Sequence, residues 1–261
     1  MRKIAIIGTS AGQKELYKKA HLLGYYTIGF SWDASEEMLS LIDKYYNISI
    51  VEKDLIVQKC REENVCGVVS NGSELTVRIS SYVAEKLSLP GTPHETIQNI
   101  QNKLWVREKT QNINGLFQIH YNLYEGIVPP NFPCIVKPIA GGGKRGVSFV
   151  TNLDEFTSAL DYAKQQNEKV LIEDYIDGND VSVESISFHG RHFVIQITDK
   201  ENSGPPHFVE LSHHQPSRLP QNIQMQIRAL IPQILDRVGF VNGASHIELK
   251  INTKGVYLIE I

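Results

Sequence analysis

Cysteine is scarce in this chain. Its 261 residues include three, Cys60, Cys66 and Cys134, an odd number without CxxC spacing. That argues against a disulfide framework or a structural zinc site and fits a reducing compartment. Long apolar runs are missing as well. The N-terminal one, Ile4 to Gly8, gives way to polar residues after five positions. A signal peptide needs roughly 7–15 apolar residues and a spanning helix about 20. The expectation is a soluble, cytoplasmic protein with no membrane partner. Charge of one sign is also lacking. A net charge of −3 excludes a polybasic nucleic-acid or membrane-surface protein and leaves local basic patches open. Internal repeats and low-complexity tracts are absent. What the chain does have is core material: 41% hydrophobic residues against 21% charged, enough for two domains or one with an added lobe.

The first ninety residues alternate strand and helix patterns. Lys3–Ile7, Tyr25–Phe30, Tyr45–Val51 and Val65–Val69 read as strands. Between them Leu16, Ala20 and Leu23 recur at helical spacing up to Gly24. Asp54 is expected to cap a helix through Cys60, and Ser73–Leu87 is a helix ended by Leu89-Pro90-Gly91. Strands separated by helices of this length imply βαβ units and a parallel sheet. After Gly91 the pattern changes. A helical stretch at Thr96–Lys109 leads into an irregular segment and Pro129-Pro130. Strands are expected at Cys134–Lys137, Val147–Val150, Val170–Tyr175, Val181–Phe188 and His192–Thr198, with a helix opened by Asn152 and Glu155 in capping-box spacing. Leu219–Val238 is helical, with a kink or break expected at Pro232. Two strands, Ala244–Ile251 and Val256–Ile261, follow.

Two glycine loops stand out. Gly8 and Gly12 follow the first strand, and Asp33 lies about 20 residues on, where the ribose-binding acid of a dinucleotide site would stand. The spacing of these glycines is not GxGxxG, and any tight strand-to-helix turn uses glycine. Gly8-Thr9-Ser10-Ala11-Gly12 also matches a hydrolase elbow formally, without a compelling acid-then-His order behind it. The second loop, Gly141-Gly142-Gly143-Lys144-Arg145-Gly146, follows Val136-Lys137-Pro138 and joins strand to strand. Its glycines open the backbone N–H groups to an anion, with Lys137, Lys144 and Arg145 around them. It would act as a flexible lid over phosphates; a plain hairpin with solvated charges is the other reading.

Acids gather further along. Glu173-Asp174-Tyr175-Ile176 ends a strand and Asp180 follows. A carboxylate there can accept from an amino group and Asp180 from ribose hydroxyls, or the turn is an acidic surface feature. In the last hairpin a three-residue loop, Thr253-Lys254-Gly255 with Gly255 left-handed, pairs Asn252 with Val256 and therefore Glu248 with Glu260. Their Cβ atoms then stand about 4.5–5.5 Å apart on one face. A shared hard cation, with phosphate oxygens, relieves that repulsion. So does water, or pairing with Lys250 or His246, and a slip of one residue would separate the acids. Lys103 taken alone is a solvated helix lysine, and His207, His213 and His214 fit no standard zinc spacing.

In order and interval these motifs resemble the ATP-grasp superfamily of ATP-dependent carboxylate–amine ligases, on the branch of L-amino-acid ligases and carbamoyl-phosphate-synthetase-like enzymes. The resemblance rests on Asn102-Lys103 with Arg107, Val136-Lys137-Pro138 with Gly141–Gly146, Glu173-Asp174-Tyr175-Ile176, and Asp180 before Ser182-Val183-Glu184. It continues in His246-Ile247-Glu248-Leu249-Lys250 and Leu258-Ile259-Glu260-Ile261. It implies an α/β protein with a Rossmann-like parallel-sheet domain at 1–93 and an ATP-grasp domain at 94–261. The latter would have two α+β lobes, a lid lobe about 112–176 and a C-terminal lobe about 177–261. ATP and Mg²⁺ (or Mn²⁺) are the implied cofactors. Lys103 and Lys137 would contact ATP phosphates, with Lys137 and Arg145 at the transferring group. Gly141, Gly142, Gly143 and Gly146 would close over them. Glu173 and the backbone near Ile176, in one run with Asp174 and Tyr175, would read the adenine edge. Asp180 would hold the ribose, and Glu248 and Glu260 the metal. His213, His214 and Arg218, in the loop His207–Arg218, are the substrate candidates. Asp180 stands where the family more often has Glu. The family usually continues past the equivalent of Ile261 with a metal-ligating Asn and a substrate-binding Arg, so a truncated C-terminal lobe is expected.

The implied reaction joins a carboxylate, an amino acid or small acid, to an amine. The carboxylate attacks the γ-phosphorus of ATP, and the amine displaces phosphate from the acyl phosphate. The protein positions the reactants, neutralises charge and excludes water. Small-molecule carboxylate and amine substrates are the expected partners, and a homodimer is a possible assembly. Two other classes stay open: a non-catalytic or truncated ATP-binding module, and an NAD(P)-dependent oxidoreductase on the first βαβ unit, which accounts for Asp33 but not for the acid pair.

Overall fold

The structure, a computed structural model, describes residues 1–127, 131–205 and 208–261. Pro129-Pro130 and His207 lie outside the described residues. The chain divides into two compact units, Met1–Gln98 and Asn99–Ile261.

The first unit runs β1 (Arg2–Ile7), α1 (Lys14–Leu22), β2 (Tyr25–Ser31), α2 (Glu36–Leu39), β3 (Lys44–Asn47), α3 (Lys53–Glu63), β4 (Val68–Val69) and α4 (Glu74–Lys86). Its strands pair in parallel in the order β3-β2-β1-β4. Alternation along β1 fills both faces. Ala5 and Ile7 enter a core with Ile28, Phe30, Ile56 and Val83, while Ile6 joins Tyr17, Ala20 and Met38 on the other side. A parallel sheet covered on both faces needs such continuous apolar strands, and each fully buried isoleucine contributes about 1.5–3 kcal/mol.

Three expectations change here. Asp54 does not cap α3; it sits in the first turn and accepts from the Tyr82 hydroxyl at 2.6 Å, where its charge still favours the helix N-terminus. The strand expected at Val65–Val69 shortens to two residues, because Asn64 is left-handed and the Val65 N–H donates to the Cys60 carbonyl, closing α3. The strand expected through Val51 ends at Asn47, and the Ser49 N–H is taken by the Glu52 side chain.

The division between the units falls within α5 (His94–Ile100), and α6 (Lys103–Lys109) follows. One helix was expected over Thr96–Lys109. Asn102 breaks it: its backbone is extended and its side chain accepts from the Trp105 N–H, starting a new helix.

The second unit continues with β5 (Leu116–Phe117), β6 (Tyr121–Leu123), β7 (Cys134–Pro138), β8 (Ser148–Val150), α7 (Leu153–Lys164) and β9 (Val170–Asp174). Next come β10 (Asn179–Phe188), β11 (Arg191–Asn202), β12 (Glu210–His214), α8 (Gln221–Val238), β13 (Gly243–Ile251) and β14 (Val256–Glu260). One antiparallel sheet has the order β6-β9-β7-β8. Its core joins Val136, Val150 and Ile172 to Phe156 and Leu160 of α7. Asn152 caps α7 by accepting from the Glu155 N–H, and Glu155 reaches back to the Thr151 N–H at 2.8 Å rather than to Asn152. The larger sheet has the order β12-β11-β10-β13-β14-β5. Helix α8 packs on β11 through a stripe including Ile227, Ile231 and Ile234. It runs through Pro232 without the expected break. Buried Leu230, Ile231, Ile234 and Leu235 flank the proline, and their packing outweighs one lost hydrogen bond. The segments read as irregular at 110–127 and as loop at 207–218 contain β5, β6 and β12.

The final hairpin reaches the expected acid pair by a different route. Ile251 pairs with Val256, not Tyr257, so the turn register differs by one from a three-residue loop. Gly255 has φ +154°, outside the left-handed helical region, and a Cβ there would meet the Phe117 ring at 2.3 Å. A bulge between Glu248 and Leu249 then restores the offset and places Glu248 opposite Glu260.

Candidate active site

Strand alternation builds the site. Asp180, Ser182 and Glu184 of β10 stand opposite Lys250, Glu248 and His246 of β13, while Val181, Val183, Leu249 and Ile247 between them are buried. A period of two therefore places one charged face on an apolar sheet. That face borders a cavity of about 150 Å³ within the second unit. Lys103 of α6, Lys137 of β7 and the β9 end, Glu173 to Ile176, also line it, as do Asp180, Lys200, Glu210, Glu248 and Glu260.

Lys137 and Glu173 are buried together. The Arg107 Nε donates to Glu173 Oε1 at 2.8 Å, and Lys137 Nζ lies 2.6 Å from Oε2. Arg107 Nη2 adds bonds to Glu173 Oε2 and to the Ile259 carbonyl. Burial opposes ionisation of Glu173, but the two cations outweigh it and hold the carboxyl well below its usual range. Burial pulls Lys137 below the usual lysine range, against the attraction of Glu173. Glu173, expected at an adenine edge, has both oxygens engaged by cations; it holds Lys137 in place.

The opposed acids each carry an ammonium. Lys103 Nζ is 3.0 Å from Glu260 Oε1, and Lys200 Nζ is 2.5 Å from Glu248 Oε1 and 2.6 Å from Glu210 Oε1. His246 Nε2 approaches Glu248 at 3.4 Å, while Lys250 pairs with Asp180 at 3.0 Å. Burial resists ionisation of Glu248, yet His246 and Lys200 hold it at about 2. The repulsion between the acids is thus relieved by His246, which the sequence offered for that role, and by Lys200 and Lys103, which it did not, while Lys250 pairs with Asp180 instead. Among the described residues no cluster of three or more His, Cys, Asp or Glu side chains could hold a metal. Two opposed carboxylates in a lysine-lined cavity still fit a hard cation that completes its shell with phosphate oxygens and water.

The glycine loop reaches the cavity through Gly141 and Lys144. Lys103 Nζ donates to the Gly141 carbonyl at 2.8 Å, and Lys144 Nζ to the Phe208 carbonyl at 2.5 Å. Gly142, Gly143, Arg145 and Gly146 are outside the lining; the Arg145 Nε turns back toward the Gly142 carbonyl at 3.4 Å. The loop cation that lines the cavity is Lys144 rather than Arg145. Of the substrate candidates, His213 lies 3.4 Å from Glu210, which lines the cavity; His214 pairs with Glu201 at 3.1 Å, and Arg218 approaches His214. None of the three lines the cavity itself. Phe208 and Lys250 do, and Phe208 packs against Tyr175 and Phe149.

In the first unit Gly8, Ser10 and Asp33 border an open crevice of about 630 Å³ at the carboxyl ends of the parallel strands. The Ser10 hydroxyl donates to Gln13, and Asp33 Oδ1 accepts from the Ala34 N–H. No helix among the described residues is long and apolar enough to cross a membrane.

The parallel-sheet unit, the two further sheets and the lysine–carboxylate cavity define a class of protein suited to hold a polyanion together with a cation. The chain belongs to the ATP-grasp domain family, whose pattern matches residues 130–261, about half of its length. It is similar to alanine–anticapsin ligase of Bacillus subtilis (strain 168), at 23% identity over 236 residues, 77% of this chain and 49% of that protein. It is similar over a shorter stretch, 67 residues at 39% identity, to D-alanine–D-alanine ligase of Flavobacterium psychrophilum, covering 26% of this chain and 20% of the relative. Among solved structures, L-amino acid ligase from Bacillus licheniformis superposes with a TM-score of 0.87 at 25% identity, over 100% of this chain and 66% of that one. The ADP complex of purK, an N5-carboxyaminoimidazole ribonucleotide synthetase, superposes at 0.83 with 18% identity over 99% of this chain and 69% of that one, a likeness of fold alone. The matches span a fifth to a half of these curated relatives and about two thirds of these solved structures.

Proposed function

We propose that the chain binds ATP with Mg²⁺ or Mn²⁺ and serves an ATP-dependent ligase that joins a carboxylate to an amine through an acyl phosphate. The observation that carries this reading is the single cavity in which buried Lys103 and Lys137 accompany the opposed pair Glu248 and Glu260. Lys103 and Lys137 take phosphate oxygens, and Glu173 with Arg107 fixes where the Lys137 ammonium stands. The end of β9 and Phe208 offer an apolar and backbone seat for the purine, and Asp180 accepts from the ribose. Glu248 and Glu260 hold the cation, which when bound neutralises charge on the transferring phosphoryl group. Lys144 and Gly141 close the cavity over the phosphates and limit water near a reactive acyl phosphate.

Three of the proteins named above are, by name, an alanine–anticapsin ligase, a D-alanine–D-alanine ligase and an L-amino acid ligase. The substrate class proposed is therefore an amino acid or small acid, and His213 beside Glu210 is the side-chain candidate nearest the cavity among those considered. Three free cysteines support a reducing, cytoplasmic setting. The test is an ADP-release screen with Mg·ATP over amino acids and small acids. ADP release with at least one of them, lost in Glu260→Gln, is expected. A thermal shift with Mg·ATP but no ADP release over the panel would favour a non-catalytic binding module. No nucleotide binding at all overturns the reading.

A further inference from the structure

The two opposed acids do not wait for a cation with bare charge. Lys200 is among the buried polar residues, and its Nζ bridges Glu248 and Glu210. Lys103, also buried, spans Glu260 and the Gly141 carbonyl. Lys200 and Lys103 with Glu248, Glu260 and Glu210 sum to −1, and His246 beside Glu248 brings the sum to zero when protonated. A divalent cation arriving alone would gain only two carboxylates, and it would meet two ammoniums at contact distance from them. If pushed aside, Lys200 would keep only Glu210 and Lys103 only the Gly141 carbonyl, so each buried ammonium would give up a carboxylate partner, which is costly. A polyphosphate removes both obstacles, since it offers the lysines new anions and leaves the carboxylates free.

We propose that Lys200 and Lys103 are resident counter-ions of the acid pair, so that a divalent cation binds at Glu248 and Glu260 only together with a nucleotide whose phosphates draw the two lysines away. The inference rests on the nucleotide reading above and adds an order of events to it. Lys200 thereby acts as a gatekeeping residue of the cation site. It also implies strong mutual dependence: nucleotide raises cation affinity, and by linkage the cation raises nucleotide affinity by the same factor.

The experiment is a Mn²⁺ titration of the 261-residue chain, followed by electron paramagnetic resonance, with and without a non-hydrolysable ATP analogue. The wild type should bind Mn²⁺ weakly alone and at least about tenfold more tightly with the analogue. Lys200→Met should bind Mn²⁺ without nucleotide about tenfold more tightly than wild type, the gain expected from removing one competing, partly screened charge. It should also lose most of the enhancement by the analogue. Adding Glu248→Gln to Lys200→Met should abolish the gain; a gain that survives places Mn²⁺ elsewhere and overturns the proposal. Equal Mn²⁺ affinity of wild type and Lys200→Met without nucleotide also overturns it. Should Lys200→Met fail to fold by circular dichroism, Lys200→Gln, which keeps a donor but not the charge, gives the same reading. Analogue affinity is measured separately by calorimetry. An analogue that binds without changing Mn²⁺ affinity refutes the counter-ion exchange alone, whereas one that never binds refutes the nucleotide reading as well.

Discussion

At the scale of single residues, Glu173 is a cavity-lining carboxylate whose two oxygens are already engaged by cations of the protein. It lies in an acidic run at a strand end, where the sequence suggests an acceptor for an amino group. The fold instead surrounds it with Arg107 and Lys137 and leaves it almost without solvent contact. The three groups carry a net positive charge, and Lys137 carries it to the cavity wall. Among the described residues, Arg107 Nη1 is the one buried side-chain nitrogen or oxygen without a hydrogen-bond partner, so a neutralised Glu173 would leave the guanidinium with no counter-charge and the Ile259 carbonyl as its remaining strong acceptor. Glu173→Gln should therefore destabilise the protein by about 3–5 kcal/mol, because two buried cations lose their counter-charge. Urea denaturation at pH 7 measures this, and a loss under about 1 kcal/mol would mean the triad is exposed to water in solution. The sequence could not reveal the triad. Arg107 and Glu173 stand 66 positions apart, and a buried Lys–Glu–Arg set has the same letters as a solvated one. Glu248 and Glu260 were legible because a hairpin ties register to loop length. The inferred loop was nonetheless off by one, and the bulge before Leu249 corrected it.

At the scale of elements, Glu63 does for the first unit what capping does for a helix end. It sits at the last position of α3, where a negative charge is unfavourable to the helix dipole. Lys3 of β1 at 2.7 Å, Lys44 of β3 at 2.5 Å and the Tyr46 hydroxyl at 2.7 Å all donate to it. Hydrogen bonds from Lys3, Lys44 and Tyr46 lower its carboxyl to about 2, against a small opposing effect of burial. A depressed carboxyl contributes its full stability above the unfolded value of 4.5 and loses it as pH falls from there toward about 2. Glu63→Gln should thus be less stable than wild type by about 1–2 kcal/mol at pH 7, a figure reduced for solvent screening of the lysines. The two proteins should converge near pH 2, and urea midpoints across that range decide it; a constant difference at every pH would assign the effect to packing instead. Elements of this unit were the most legible, since Lys3–Ile7 and Tyr25–Phe30 are apolar on both faces and bounded by glycine. The strands that escaped, β5, β6 and β12, have two, three and five residues. They are held by pairing with a neighbour, β14, β9 or β11, and a strand that owes its existence to its neighbour has little periodicity of its own.

For the whole molecule, the consequence is that every residue lining the lysine–carboxylate cavity belongs to the second unit, Asn99–Ile261. The crevice at Gly8 and Asp33 belongs to the first, Met1–Gln98. A ligand stabilises the state it binds, and at about 100 times its dissociation constant the gain is about 2.7 kcal/mol. Local opening follows the same linkage, so the segments that open without that ligand are the ones it slows. Hydrogen exchange of the chain with saturating Mg·ADP should therefore slow at Gly141–Lys144, at the β9 end around Tyr175 and in β13 and β14. The amides of β1 and β2 should exchange as in the free protein. Equal protection of both units would show that opening of the two is coupled. Protection confined to Gly8–Gln13 and Ser31–Ser35 would move the nucleotide to the parallel-sheet crevice, and the dinucleotide reading of Asp33 would replace the ligase reading of Glu248 and Glu260.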